Sequence, residues 1–118
     1  MSKKQRTLRF GEVVLLDFPG VNEVKRRPAV VVSSDLYHKQ RPDVIVGILT
    51  SQIEAATAAT DYVLQDWVQA RLHCSSAFRT FLVTVPRTAI SARVGKLSPR
   101  DWRSVQRRLG LALSLDPL

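Results

Sequence analysis

The stretch Lys25-Arg26-Arg27-Pro28-Ala29-Val30-Val31-Val32-Ser33-Ser34 passes from three cations through a proline into four small apolar residues. A short run rich in β-branched side chains favours a buried strand over a helix. Pro28 has a fixed φ and steers the residue before it toward extended backbone. Arg27 is therefore expected at the strand entrance with a restrained direction. A planar guanidinium held on a rigid element suits phosphate, which it meets with paired donors. The remainder of the chain reads as a scaffold for this arginine.

Working outward, Phe10 to Phe18 is an opening strand, because the apolar run Val13–Leu16 is too short for a helix and ends at Asp17 and Pro19-Gly20. The polar link Gly20 to Arg27 is too short for a crossover, so the first two strands are antiparallel. Asp35 to Asp43 is a polar link, and Val44 to Ser51 is the strongest strand. Ile53 to Thr60 lacks a helical stripe and is expected to be a mobile loop. Asp61 to Gln65 is a short strand, with a turn at Trp67-Val68. Ser76 to Pro86 is a long strand with both faces partly apolar, as in a barrel or at a subunit contact. Thr88 to Val94 reads as a helical turn ended by Gly95.

The last element carries the fullest signal. Ser98 is an N-cap, Pro99 the first helical residue and Asp101 an acid at N3. Trp102, Val105, Leu109 and Ala112 follow at helical spacing. Five strands and a helix over 98–115 predict a mainly β (α+β) chain, a compact antiparallel barrel sealed by its terminal helix. One domain spans 10–115, behind a basic arm of residues 1–9.

Of 118 residues, 18 are Lys or Arg and 10 are Asp or Glu, a net charge of +8. The partner is therefore expected to be acidic: nucleic acid, an anionic surface or an acidic protein. Cys74 is the single cysteine, which excludes an internal disulfide and suggests a reducing compartment. No apolar run approaches the ~20 residues of a membrane span, and Met1–Arg9 lacks the apolar centre of a signal peptide. A cytoplasmic protein without membrane contact is expected, with Lys3, Lys4 and Arg6 adding general phosphate attraction.

Glycine-rich phosphate loops, zinc spacing and paired carboxylates are missing, so neither metal nor cofactor is expected. His38 and His73 are the two histidines. In a strand, adjacent His73 and Cys74 point to opposite faces, which argues against a nucleophilic pair. What remains is Arg27 at one strand start, Thr50 and Ser51 at a strand end, and Ser75, Ser76 and Arg79 at another strand start. Antiparallel strands set starts beside ends, so these groups are able to converge as a phosphate site. The plainer reading is a solvated loop cation beside residues that merely stop a strand. Arg100, Arg103 and Arg107 share one helical face, which is either a surface for an RNA or protein partner or simply solvated; Trp67 and Trp102 read as core, with a pocket lining beside Asp66 as the alternative for Trp67.

Phe10-Gly11-Glu12-Val13-Val14-Leu15 resembles the opening of the MazF/PemK family of ribonuclease toxins from toxin–antitoxin pairs. Lys25 to Val31, Ile48-Leu49-Thr50-Ser51, Asp66-Trp67, Ser75-Ser76 with Arg79, and Gly95-Lys96-Leu97-Ser98 resemble the same family in the same order. The likeness runs from about Phe10 to Leu113. It implies an SH3-like barrel of the MazF/PemK/CcdB type, commonly a homodimer, that cuts single-stranded RNA without a metal. An acidic antitoxin segment would neutralise it. On this resemblance Arg27 and Thr50 are catalytic, with a further serine and arginine of the site at Ser76 and Arg79; Lys25 and Arg26, as general phosphate attraction, and Ser51, from the strand-end cluster, join Ser76 and Arg79 as expected substrate-binding residues.

Some members carry an acid two positions beyond the arginine of the long strand, proposed as the base, and here that position is Phe81. The aspartate usual after the opening glycine is Glu12, and a glycine common before the serine segment is replaced near Arg71. Arginine is too weak an acid to serve easily as a base. Glu23 is therefore the first candidate base and His73 the second, although a loop glutamate also reads as merely solvated. Phe81 favours an alternative, a non-catalytic toxin-like module of the gyrase-poison type or a degenerate RNA- or protein-binding member. A weaker alternative is a sequence-blind nucleic-acid adaptor.

Overall fold

A computed structural model describes residues 7–19 and 24–115. The elements are β1 (Glu12–Pro19), β2 (Val24–Val31), α1 (Asp35–Gln40), β3 (Asp43–Thr50), β4 (Tyr62–Val63), β5 (Ala77–Pro86), β6 (Ile90–Lys96) and α2 (Pro99–Ala112). The strands form one antiparallel sheet in the order β4-β5-β3-β2-β1-β6.

That order forces curvature. Only Arg87–Ala89, a 3₁₀ turn, joins β5 to β6. Three residues reach about 10 Å, whereas a flat sheet would set these two strands about 19 Å apart with three others between them. Val85 of β5 and Ile90 of β6 accordingly pack on one buried cluster that includes Val14, Leu16, Ala29, Val31, Val44 and Val46. The expected mainly antiparallel β architecture with a C-terminal helix is what the chain adopts. The barrel, however, is not closed, because β4 and β6 remain sheet edges.

The opposite face carries a second core of Val13, Val30, Leu49, Phe78, Leu97 and Val105, with Trp67, Trp102 and Leu109 packed against it. Gly47 makes room for it: a Cβ there would collide with the Phe78 ring. Helix α2 starts as the sequence indicates, with the Ser98 hydroxyl accepting from the Asp101 amide at 3.1 Å. Asp101 then does more than complement the helix dipole. Its carboxylate is fully buried and accepts from the Tyr62 hydroxyl (2.6 Å) and from the amides of Gln65 (3.0 Å) and Asp66 (2.8 Å). Burial, together with this acceptor, raises the Tyr62 pKa above its ordinary value. A buried carboxylate is tolerable only with such complete satisfaction.

Several local expectations fail. Strand β2 begins at Val24, so Arg27 lies inside the strand rather than at its entrance. The polar link is α1, capped by the Ser34 hydroxyl that accepts from the Tyr37 amide at 3.2 Å; six residues are too few to show a helical stripe. Ile53–Ala55 is a 3₁₀ turn within the supposed loop, and β4 is only two residues long. Residues 88–94 are not a helical turn but mostly β6, the sixth strand. Gly95 caps no helix; it lets the Ala70 carbonyl pack where a Cβ would stand. Helix α2 ends at Ala112, which is exposed and outside the apolar stripe. Among the described residues no helix is long and apolar enough to cross a membrane.

Candidate functional site

Pro28 explains where the site begins. Strand β3 pairs with β2 only over Ala29–Val31, so the ladder stops at the residue that has no N–H to give. Continuing the Ala29–Ile48 register outward by two residues sets Arg27 across from Thr50. Both line a cleft of about 560 Å³, with Ile48, Leu49, Arg79 and Phe81.

Arg79 and Phe81 reach this cleft through a bulge. In the β3–β5 ladder Gly47 faces Leu82 and Leu49 faces Phe78, leaving Arg79, Thr80 and Phe81 opposite Ile48 alone. Bulges re-aim side chains in this way. Thr80 takes φ of 60°, a conformation that costs a β-branched residue about 1–3 kcal/mol. Its hydroxyl holds the bulge by donating to the Thr60 carbonyl at 3.1 Å. Beside it, Arg79 Nε lies 3.5 Å from the Asp61 carboxylate, whose side chain is 4% exposed. Asp61 Oδ2 also accepts from the Ala58 amide at 3.0 Å. Thr60 and Asp61 thus fix the bulge from one side.

The cleft is chemically simple. Among the described residues no carboxylate pairs with Arg27, which is exposed at the end of the ladder. Thr50 Oγ1 accepts from the Gln52 amide at 3.1 Å, so its own proton is available to a ligand. Ile48 is almost buried, whereas the Phe81 ring is 61% exposed. Two guanidinium groups, a hydroxyl and an open ring suit an anion that carries a flat group.

The other sequence candidates are distributed more widely. Lys25 is exposed and shares the Arg27 side of β2 by alternation. Arg26 lies on the opposite side and donates to Asp17 Oδ1 at 3.0 Å. Ser51 is exposed just beyond β3 and does not line the cleft. Ser76 is buried, and its hydroxyl donates to the Cys74 carbonyl at 3.0 Å, so it holds a turn rather than facing the cleft. Glu23 lies outside the described residues. His73 and Cys74 are exposed and away from the cleft.

Asp66 and Arg100 form an ion pair at 2.6 Å, and Ser98 donates to Asp66 at 2.6 Å. Arg100, followed by Ser98, holds the Asp66 carboxyl below its ordinary pKa. This pair anchors the start of α2, which removes Arg100 from the face formed by Arg103 and Arg107. Among the described residues no cluster of three or more His, Cys, Asp or Glu side chains could hold a metal ion. Asp61 and Thr80 escaped the sequence reading, because neither a strand-edge aspartate nor a threonine in a strand signals a bulge.

Fold and cleft together define a small basic β domain with an anion-receptive groove at the open end of the β2–β3 ladder. The profile of the PemK-like, MazF-like toxins of type II toxin–antitoxin systems matches residues 9–113, and the chain belongs to that family. Its fold is similar to that of an endoribonuclease in complex with its cognate antitoxin from a mycobacterial species (TM-score 0.76, 19% identity, 94% of this chain and 99% of that one). It is also similar to the Mycobacterium tuberculosis toxin MazF-mt6 (TM-score 0.70, 18% identity, covering 90% and 99%). A third similar structure is MazE–MazF from Deinococcus radiodurans (TM-score 0.74, 17% identity, covering 92% and 98%). No curated protein sequence matches the chain.

Proposed function

We propose that the cleft binds single-stranded RNA and cleaves it without a metal, making this toxin an endoribonuclease. The observation that carries this reading is the meeting of Arg27, Thr50 and Arg79 around one cavity. The substrate's 2′-OH attacks its own phosphorus, the bond to the 5′-oxygen breaks, and a 2′,3′-cyclic phosphate and a 5′-OH result. Arg27 and Arg79 stabilise the charge that grows on the non-bridging oxygens, and Thr50 donates a hydrogen bond to one of them. One proton leaves the 2′-OH and one reaches the departing 5′-oxygen. Neither arginine accepts a proton readily, so the base is another group, and Glu23 is the first candidate; His73, the second, lies away from the cleft. An acidic antitoxin segment would neutralise the site by charge, and the active toxin is a homodimer.

Pure protein incubated with single-stranded RNA in EDTA should release 5′-OH fragments at a sequence-selective site. Arg27→Ala should slow this about 10²–10³-fold, as expected for loss of one charge-stabilising donor. Intact RNA across varied sequences overturns the reading. The exposed Phe81 ring, standing where some relatives carry an acid, favours the second reading of a non-catalytic binding module. In that case growth arrest survives Thr50→Ala while mRNA stays whole.

A further inference from the structure

Among the described residues two aromatic rings are exposed, Phe10 and Phe81. Phe10 stacks on Trp102 at 5.2 Å and lies under the Arg9 guanidinium at 5.5 Å. Phe81 meets neither a ring nor a cation among the described residues. A single apolar side chain on a surface is ordinary, but this one is held there. The bulge that carries it keeps Thr80 in left-handed backbone (φ 60°) and is pinned at Thr60 and Asp61. An open ring on a strained, well-anchored segment is organised for a contact.

The setting says what that contact is. Ile48 and Leu49 supply apolar lining around the ring, and Arg27 and Arg79 supply positive charge. Phe81 belongs to the bulge opposite Ile48, which lies two residues, about 7 Å, from Thr50 along β3. One nucleotide spans that interval, its phosphate at the Thr50 end and its base at the ring. We propose that Phe81 is the stacking platform for this nucleobase and sets the base preference there by ring area, purine over pyrimidine. The polar side chains of the lining are Arg27, Thr50 and Arg79, which the phosphate takes; no amide or carboxylate side chain among the described residues joins them to read a base edge. What remains for recognition is the flat face of the base, which is larger in a purine. The inference rests on the reading of the cleft as an RNA site and adds the residue that selects within it.

The probes are fluorescein-labelled strands of about six 2′-fluoro nucleotides, which lack the attacking hydroxyl, so binding is read without cleavage. One strand carries adenine throughout, one uracil, and one no bases. Anisotropy should rank them adenine, uracil, abasic, with adenine about tenfold to a hundredfold tighter than abasic. Phe81→Leu should bring that ratio close to one. Phe81→Trp should restore it, and the two base-bearing strands alone should quench the added indole. Arg27→Ala should weaken all three strands alike and lower the salt dependence, because it removes a phosphate contact. A wild-type ratio near one overturns the proposal, as does a ratio that survives Phe81→Leu or a uracil strand that binds more tightly than adenine. So does a dimer in sedimentation that Phe81→Leu dissociates while the ratio persists, since the ring then packs on a second copy. Failure of every strand to bind sinks the RNA reading as well, whereas equal binding of the three sinks the stacking alone. Cleavage of unmodified RNA is scored separately, so adenine preference without cleavage upholds Phe81 and removes only the enzymatic reading.

Discussion

Asp61 and Arg79 stand 3.5 Å apart, a nearly buried carboxylate at the entry to β4 aiming a half-exposed guanidinium of β5 toward the cleft. Ion pairs between exposed groups contribute little, but here one partner is excluded from water and holds its position through the Ala58 amide. Asp61 is a positioning residue, and its effect on the cleft passes through Arg79. Asp61→Asn should lower the RNA cleavage rate about tenfold with a smaller change in KM. In a double-mutant cycle, Arg79→Ala should cost less in the Asp61→Asn background than alone, by about 0.5–3 kcal/mol. Simple additivity would separate the two residues.

Thr80 and Arg71 both have left-handed backbone, with φ of 60° and 66°. Thr80→Val keeps the strain and loses the bond to Thr60, so it should destabilise by about 1–2 kcal/mol. Thr80→Gly loses the same bond but relieves the strain, and should be close to neutral. Arg71→Gly should stabilise by roughly 0.5–1 kcal/mol on the same grounds. Urea midpoints test all three; a Thr80→Gly variant as weak as Thr80→Val would deny that strain is stored there.

Gly47 and Phe78 form a size-matched pair. Gly47→Ala drives a methyl group into the ring and should cost about 1–3 kcal/mol by overpacking. Adding Phe78→Leu should recover part of that loss. If the double variant is as unstable as the two single losses summed, the pair is not coupled.

Asp66 gives the fold an acid-sensitive contact. Arg100 lowers its pKa in the folded state, so the unfolded chain takes up a proton at higher pH than the folded one. The stabilisation is present above the unfolded value of about 3.9 and is lost as pH falls through the lower folded value. Asp66→Asn should flatten the denaturation midpoint against pH below about 4 while leaving its shape near neutrality unchanged. An unchanged acid limb would remove Asp66 from the account.

Periodicity and composition determined much of this protein. The valine and isoleucine runs of β2 and β3 are strands because β-branched side chains pack well in a sheet. Ser98, Pro99 and Asp101 start α2 because capping is a local matter of a few residues. The pairing of Arg27 with Pro28 marked the right neighbourhood, since proline has no N–H to give and the β2–β3 ladder stops beside it. Tertiary structure decided the rest. Register across β2 and β3 set Arg27 opposite Thr50, and no local pattern encodes the register of two separate strands. The bulge that turns Arg79 and Phe81 to the cleft depends on Thr60 and Asp61, some twenty residues away. A longer separation of 39 residues hides Asp101, which caps like any helix-start acid in sequence and becomes a buried junction only once Tyr62 is beside it. Ser76 ran the other way, a polar strand-end residue that packing turned inward. Local chemistry fixed which elements form, and contacts between distant residues fixed where their side chains point.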